Sequence, residues 1–265
     1  LLDKEIFIST KRAISRLSDS SDDFILNFEL SSMQSHTLQK IEDAFEAKEV
    51  VLLHGVTASG KTQVYIKLIE KAIAKGGQVL FLLPEIALTT QIVERIQRYF
   101  GDAIGVYHSK FNNNERVEIW NKVLSGQYRV VLGARSAVFL PFKELKLIVV
   151  DEEHESSYKQ QDPAPRYNAR DAAIYLAHLH SAKVVLGSAT PAIESYYNAT
   201  TGKYGLVAMT ERYGGVELPV QEVISISEET KRKKMVSYFS SKLVDEIANT
   251  LEIGEQIILF QNRRG

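Results

Sequence analysis

Val50-Val51-Leu52-Leu53-His54-Gly55-Val56-Thr57-Ala58-Ser59-Gly60-Lys61-Thr62 is the most informative run in the chain. It begins as a short aliphatic strand and continues as G-x-x-x-x-G-K-[ST], with a helical pattern over 61–75 directly after it. A strand that turns into a helix through two glycines aims backbone N–H groups and a helix N-terminus at one point, which suits phosphate oxygens. Gly55, Thr57, Ser59 and Gly60 form the cradle; Lys61 is placed for β- and γ-oxygens and the Thr62 hydroxyl for Mg²⁺. A glycine-rich turn without a ligand is the plainer alternative.

Outward from this loop, strand and helix patterns alternate. Leu38, Ile41, Ala44 and Phe45 give helical spacing over 34–47. Further strands are predicted over 78–83, 103–107, 129–132, 147–150 and 183–186, with helices over 89–100, 114–125 and 169–180. Trp120, at helical spacing with Val117 and Leu124, is expected in the core. Near-continuous apolar strands separated by helices predict an α/β fold with a mostly parallel sheet covered on both faces. In such sheets ligands sit at the carboxyl ends of the strands. After Tyr204 the pattern loosens, Tyr213-Gly214-Gly215 and Leu218-Pro219 read as loop, and Lys231-Arg232-Lys233-Lys234 reads more as solvated loop than as a clamp. A helix over 241–251 and a strand over 256–260 open a further sheet unit. His178 and His180, two apart on a helix, do not share a face and make no metal site.

The 265 residues fit one large domain or one and a half small ones, and 45% hydrophobic residues suffice for a continuous core. A net charge of -1 gives no global attraction to polyanions, so nucleic acid would have to meet a local basic patch. Zero cysteines excludes disulfides, thiolate metal sites and a cysteine nucleophile within this stretch, and fits a reducing cytosol. The longest apolar runs fall far short of the roughly 18 residues that span a bilayer. The chain opens on Leu1 and stops after Asn262-Arg263-Arg264-Gly265 with no fading of pattern, so it reads as part of something longer.

Two further strand ends carry chemistry. The apolar strand at 147–150 runs into Asp151-Glu152-Glu153-His154: Asp151 suits an Mg²⁺-organising carboxylate, and Glu152 a group that positions and deprotonates a water. A solvated strand end is the alternative. The strand at 183–186 runs into Gly187-Ser188-Ala189-Thr190-Pro191, whose hydroxyls also suit a helix N-cap. Taken together, Asp-Glu-Glu-His and Ser-Ala-Thr resemble the second and third motifs of superfamily 2 helicases, in which His154, Ser188 and Thr190 would couple the nucleotide to nucleic acid.

The remaining segments narrow the resemblance. Leu83-Pro84-Glu85-Ile86-Ala87-Leu88-Thr89, Tyr107-His108-Ser109, Gly133-Ala134-Arg135-Ser136-Ala137-Val138-Phe139, Ser157-Tyr158-Lys159-Gln160-Gln161-Asp162, Arg166-Tyr167, Ala169-Arg170-Asp171 and Asn262-Arg263-Arg264-Gly265 together resemble the bacterial replication-restart DNA helicases over about 30–265. That resemblance implies a RecA-like P-loop NTPase lobe over 30–210, preceded by the end of another segment at 1–29. It also implies that 211–265 is a connector and the beginning of a second lobe, cut before a zinc module whose cysteines would lie beyond Gly265.

The activity implied is ATP- and Mg²⁺-dependent 3′-to-5′ DNA unwinding at stalled forks in the bacterial cytoplasm and nucleoid. Its partners would be single-stranded and forked DNA, primosome proteins, single-strand binding protein and a replicative helicase loader, with no membrane. An arginine from the second lobe would complete catalysis, so the stretch by itself is expected to hydrolyse little.

By the same resemblance Gln34 would sense adenine, the alternative being an exposed helix-start glutamine. Pro84, Glu85, Thr89, Arg135 and Ser136 would grip a single-strand backbone. Tyr158, Lys159, Arg166 and Tyr167 interleave aromatic and basic groups, which suits stacking and phosphate neutralisation; buried tyrosines are the alternative. The chain departs from its relatives at Asp162-Pro163-Ala164-Pro165, at Asn168 where histidine is frequent, and at Ala58 where glycine is usual. A P-loop kinase or nucleotide switch acting on a small molecule is the competing class, and it calls for a lid and an acceptor pocket instead.

Overall fold

The computed structural model describes residues 28–260 except 86, 88, 89, 109, 110, 213 and 215–219. The chain divides into two compact units, one ending at Glu217 and one beginning at Leu218. Chain order in the first unit is α1 (Ser32–Ala47), β1 (Val50–Gly55), α2 (Lys61–Ala74), β2 (Gln78–Leu82), α3 (Thr90–Phe100), β3 (Ile104–Tyr107), α4 (Asn113–Leu124) and β4 (Val130–Gly133). It continues with β5 (Leu145–Asp151), α5 (Ala169–His180), β6 (Lys183–Ser188), α6 (Ile193–Thr200) and β7 (Gly205–Met209).

The strands of this unit form one sheet in the order β3-β4-β2-β5-β6-β1-β7, and every neighbouring pair is parallel. Alternation across the pleat divides the core in two. Val51, Leu53, Val79, Phe81, Val149 and Val185 pack with Ile41 of α1, Tyr65 and Ile69 of α2 and Ile96 of α3. On the other face Leu52, Leu80, Val131, Ile148 and Leu186 pack with Ile119 of α4 and with Ala173 and Ala177 of α5. Both faces being covered, the strands are apolar almost throughout, as the sequence pattern anticipates.

The helices start where polar caps place them. Ser31 Oγ accepts from Gln34 N while Gln34 Oε1 accepts from Ser31 N, a reciprocal cap that also fixes the Gln34 side chain. Asn112 and Glu115 form the same device at α4. Asn168 caps α5 by accepting from Arg170 N at 2.9 Å, so this departure from the relatives has a local structural role.

Several expectations need correction. The apolar stripe of α4 that is buried is Ile119 and Val123, while Trp120 is 44% exposed and Val117 59%. Both sets fit a 3.6-residue period, and only packing distinguishes them. The loosening expected after Tyr204 starts later, because β7 pairs parallel with β1 from Val51↔Gly205 to Gly55↔Met209; of the positions read as loop, Tyr213, Gly215 and Leu218-Pro219 lie outside the described residues. The segment after Pro191 is helix α6, whose Ile193, Tyr196 and Tyr197 face outward.

The second unit contains α7 (Ile226–Lys231), a short antiparallel pair β8 (Met235–Val236) and β9 (Phe239–Ser240), and α8 (Ser241–Glu252). The strand expected at 256–260 does not form: the segment has no regular secondary structure and no ladder partner among the described residues, and Ile258 and Phe260 are exposed.

Candidate nucleotide site

The phosphate loop is held open at its base by its neighbours. Val56 N donates to Met209 O of β7 at 3.0 Å, Ser59 N to Val56 O at 3.1 Å, and Gln63 N to Gly60 O at 3.1 Å. Ala58 and Gly60 both have left-handed backbone, at φ 62° and 86°. At Gly60 a Cβ would stand 2.3 Å from Gln34 Nε2, so glycine is what lets Gln34 approach. Gln34 is buried and donates from Nε2 to Gly60 O at 3.4 Å; the exposed alternative is overturned, and its side chain touches the loop itself. Lys61 Nζ donates to the loop's own Gly55 O at 2.9 Å. Ser59 Oγ is buried without a hydrogen-bond partner.

Across from the loop stand Asp151 and Glu152. With Gly60, Lys61, Thr62 and Arg95 they line a cavity of about 360 Å³. Tyr65 of α2 donates its hydroxyl to Asp151 Oδ1 at 3.0 Å, and Tyr158 donates to Asp151 O at 2.7 Å. Burial, with the Asp151 carboxylate beside it, pushes the Tyr65 phenol well above its usual value, so it remains a donor. Burial and the adjacent Glu152 raise the Asp151 carboxyl to about 6, against the opposing pull of Lys61 and the Tyr65 hydrogen bond. Glu152 has φ 47°, a left-handed conformation that costs a non-glycine residue about 1–2 kcal/mol. It is held there by Glu153 N donating to Gly187 O and Glu155 N to Glu152 O, at 3.1 and 2.9 Å.

The donor set suits Mg²⁺. The ion takes hard oxygen ligands, commonly one or two carboxylates completed by phosphate and water. Thr62, Asp151 and Glu152 line one cavity and offer a hydroxyl and carboxylates, while among the described residues no cluster of three or more His, Cys, Asp or Glu side chains forms a self-sufficient metal cage.

From Asp151 the site extends sideways along the strand tips. Asp151 is in register with Gly187, and His54 with Ser188. His154 Nδ1 lies 2.8 Å from Ser188 Oγ and 3.7 Å from Glu152 Oε2, and its Nε2 is 3.4 Å from Thr190 Oγ1. Thr190 N donates to Ser188 Oγ at 2.9 Å. The acidic motif and Ser-Ala-Thr are thus one hydrogen-bonded cluster. Buried Glu153 ties it down, accepting from Arg170 Nη1, Ala192 N and Ser195 Oγ at 3.1, 2.7 and 2.8 Å.

The residues expected to meet a nucleic acid separate into those on the surface and those in the core. Pro84 and Glu85 follow β2, while Arg135 and Ser136 follow β4, and these strands are neighbours. Glu85 is exposed and Pro84 buried; Thr89 lies outside the described residues. Arg135 donates to Ser157 O and Lys159 O at 3.4 and 3.0 Å, joining this edge to the loop after β5. In that loop Lys159 and Arg166 are exposed, and Lys159 Nζ donates to Arg166 O at 2.7 Å. Tyr158 is the correction: 1% exposed and anchored on Asp151 O, it offers no stacking surface here. The available ring is Tyr167, half-buried and edge-on to exposed Phe139 at 4.9 Å between centroids.

Sequence reasoning missed Tyr65 and Arg95, and it gave no role of their own to Glu153 and Phe139, although both stand within quoted motif segments. What each of the four touches is set only when α2, α3, the turn after β4 or α6 packs against the sheet.

The chain matches the DEAD/DEAH box helicase family over residues 31–199, and it belongs to that family. Within it, the chain is 43% identical over 238 residues to "Replication restart protein PriA" of Bacillus subtilis (strain 168), covering 89% of this chain and 29% of that protein. It is 44% identical over 239 residues to the protein of the same name in Rickettsia felis, covering 90% and 36%. The chain therefore spans about a third of these relatives' length. In solved structures the fold resembles RecG bound to a three-way DNA junction, with TM-score 0.52 and 23% identity over 72% of this chain and 25% of that one. It also resembles the DUF1998 helicase MrfA bound to DNA, with TM-score 0.50 and 18% identity over 69% and 26%.

Proposed function

We propose that this chain supplies the ATP-binding lobe of a replication-restart DNA helicase that unwinds 3′-to-5′ at stalled forks and starts primosome assembly. The observation that carries this reading is the continuous cluster from the phosphate loop through Asp151 and Glu152 to His154, Ser188 and Thr190. Residues 30–210 act as the first RecA-like lobe, 1–29 as the end of a preceding segment, and 211–265 as a connector into a second lobe.

Lys61 leaves the Gly55 carbonyl it now occupies when triphosphate enters, because a charged phosphate oxygen outcompetes a neutral carbonyl. Thr62 and Asp151 would hold Mg²⁺, which would supply neutralisation of the phosphate charge. Glu152 orients a water toward the γ-phosphate and accepts its proton. His154, touching both Glu152 and Ser188, passes the state of that glutamate to the strand tips. Tyr167 with Phe139, Lys159, Arg166 and Arg135 forms the face for single-stranded DNA, combining stacking with cations.

The test is steady-state ATP hydrolysis by the intact protein with and without single-stranded DNA. The reading expects strong DNA stimulation, its loss in Lys61→Ala, and bound ATP that persists in Glu152→Gln. Turnover indifferent to DNA but stimulated by a small-molecule acceptor would favour a P-loop kinase. Unwinding of forks with a 3′ or a 5′ single-stranded arm checks polarity.

A further inference from the structure

We propose that Tyr65 is a positioning residue for the metal half of this site: its hydroxyl fixes Asp151 by one carboxylate oxygen and leaves the other for Mg²⁺. The inference rests on the reading of the cavity as an Mg²⁺-nucleotide site and adds a residue outside its motifs.

The geometry of three elements converges on this hydroxyl. Tyr65 is fully buried in α2, its ring edge-on to Phe81 at 5.6 Å, and its hydroxyl reaches Asp151 Oδ1 at 3.0 Å. The neighbouring strand is hollowed to admit it. A Cβ at Gly187, the residue in register with Asp151, would fall 1.7 Å from the Tyr65 hydroxyl oxygen, 2.9 Å from the ring carbon that bears it and 3.3 Å from Asp151 Oδ1. The severe conflict is therefore with the oxygen, the atom that filling the core does not require. Tyr158 meanwhile fixes the Asp151 main chain from its carbonyl. With the backbone and one carboxylate oxygen both held, the carboxylate meets an incoming ion without reorganising. Outer partners of metal ligands act in this way, and their loss typically lowers metal affinity by about 10- to 100-fold.

The test uses the intact protein and a fluorescent ATP analogue, bound first in EDTA and then across an Mg²⁺ titration, with Mn²⁺ as a paramagnetic probe. Tyr65→Phe keeps the ring and removes the hydroxyl. It is expected to bind the analogue in EDTA within about twofold of wild type while needing about tenfold more Mg²⁺ for half-saturation, with Mn²⁺ weakened in parallel. Gly187→Ala, which displaces the hydroxyl, is expected to shift the Mg²⁺ requirement in the same direction. The double variant should be no worse in that measure than Gly187→Ala, since both remove one interaction.

An unchanged Mg²⁺ requirement in Tyr65→Phe overturns the proposal, even with a lowered melting temperature, because that result is core packing alone. If Tyr65→Phe does not fold, an unchanged requirement in folded Gly187→Ala overturns it equally. Wild-type protein without Mg²⁺-dependent nucleotide binding would instead overturn the underlying site.

Discussion

His154 Nδ1 lies 2.8 Å from Ser188 Oγ, bridging the acidic motif after β5 and the hydroxyl motif after β6. The same ring nitrogen is 3.7 Å from Glu152 Oε2, so one imidazole lies beside both Glu152, to which the proposed function gives the attacking water, and Ser188, which leads into α6. A movement of α6 of even an ångström must break or re-aim the Ser188 contact, because hydrogen bonds weaken steeply beyond about 3.2 Å. His154→Ala should therefore leave ATP binding and DNA-free hydrolysis within about threefold, and lower DNA stimulation by about tenfold, the factor that one hydrogen bond worth about 1.4 kcal/mol supplies. Rates measured at saturating DNA and without DNA check this. Equal loss in both would make His154 a part of the hydrolytic step.

Tyr158 and Tyr167 belong to one loop and have opposite fates. Tyr158 is buried and donates to Asp151 O, whereas Tyr167 is only partly buried, beside exposed Phe139. Tyr167→Ala should cost about 1–3 kcal/mol in single-strand affinity, as for other stacked bases, with the melting temperature nearly unchanged. Tyr158→Ala should instead destabilise the protein by about 3–5 kcal/mol through the cavity it leaves. Fluorescence anisotropy with an oligonucleotide and thermal melts separate the two; the reverse pattern would return Tyr158 to the surface.

The legible parts of this molecule are those with a backbone demand that few residues meet. Gly55, Gly60, Lys61 and Thr62 could be read because a strand-to-helix turn around phosphate constrains them directly, and Asp151 because it ends an apolar strand. β7 is hard to read because its five residues, Gly205-Leu206-Val207-Ala208-Met209, are too few to show a period, and its place is fixed by the ladder to β1 and the bond from Val56 N to Met209 O. Helix α6 was legible only as a following helix that Ser188 or Thr190 could cap, without bounds, because Ile193, Tyr196 and Tyr197 face outward, opposite to the usual amphipathic cue; its N-cap is Ala192. An aromatic-basic loop has the same composition whether its ring is buried or free. Tyr158 differs from Tyr167 only through a carbonyl seven residues away, which no periodicity records.

Glu153 is the residue whose loss should be felt most widely. It is 2% exposed and accepts from Arg170, Ala192 N and Ser195. Glu153→Ala would strand the Arg170 guanidinium near Asp171 and leave two donors unmet; breaking a buried pair in this way costs about 3–5 kcal/mol. In a unit of this size that lowers the melting temperature by on the order of 10 °C. Glu153→Gln, which keeps the acceptor oxygen and loses the charge, should lose less than half as much. Differential scanning calorimetry of both variants checks the order; equal losses would show that the charge dominates the hydrogen bonds.

Asp151 gives the first unit a pH dependence whose sign follows from its raised pKa. Desolvation and Glu152 lift its carboxyl from 3.8 to about 6, so the folded chain binds this proton more readily than the unfolded one. The stability it contributes is full below the unfolded value and is lost as pH rises through about 6. Above that, the nucleotide-free protein keeps a buried charge at a cost of about 1–3 kcal/mol. Asp151→Asn, which retains an acceptor for Tyr65, should be the more stable protein at pH 7.5 without nucleotide, and that advantage should shrink toward pH 5. On the proposed assignment of Asp151 to Mg²⁺ the order reverses: ionised Asp151 is the form that would bind the ion, so Mg²⁺-nucleotide should stabilise wild type at pH 7.5 and leave Asp151→Asn almost unmoved. Melting curves at both pH values, with and without Mg²⁺-nucleotide, decide the matter. A variant less stable than wild type at pH 7.5 in the absence of ligand would mean that Lys61 and Tyr65 already outweigh the burial of this charge.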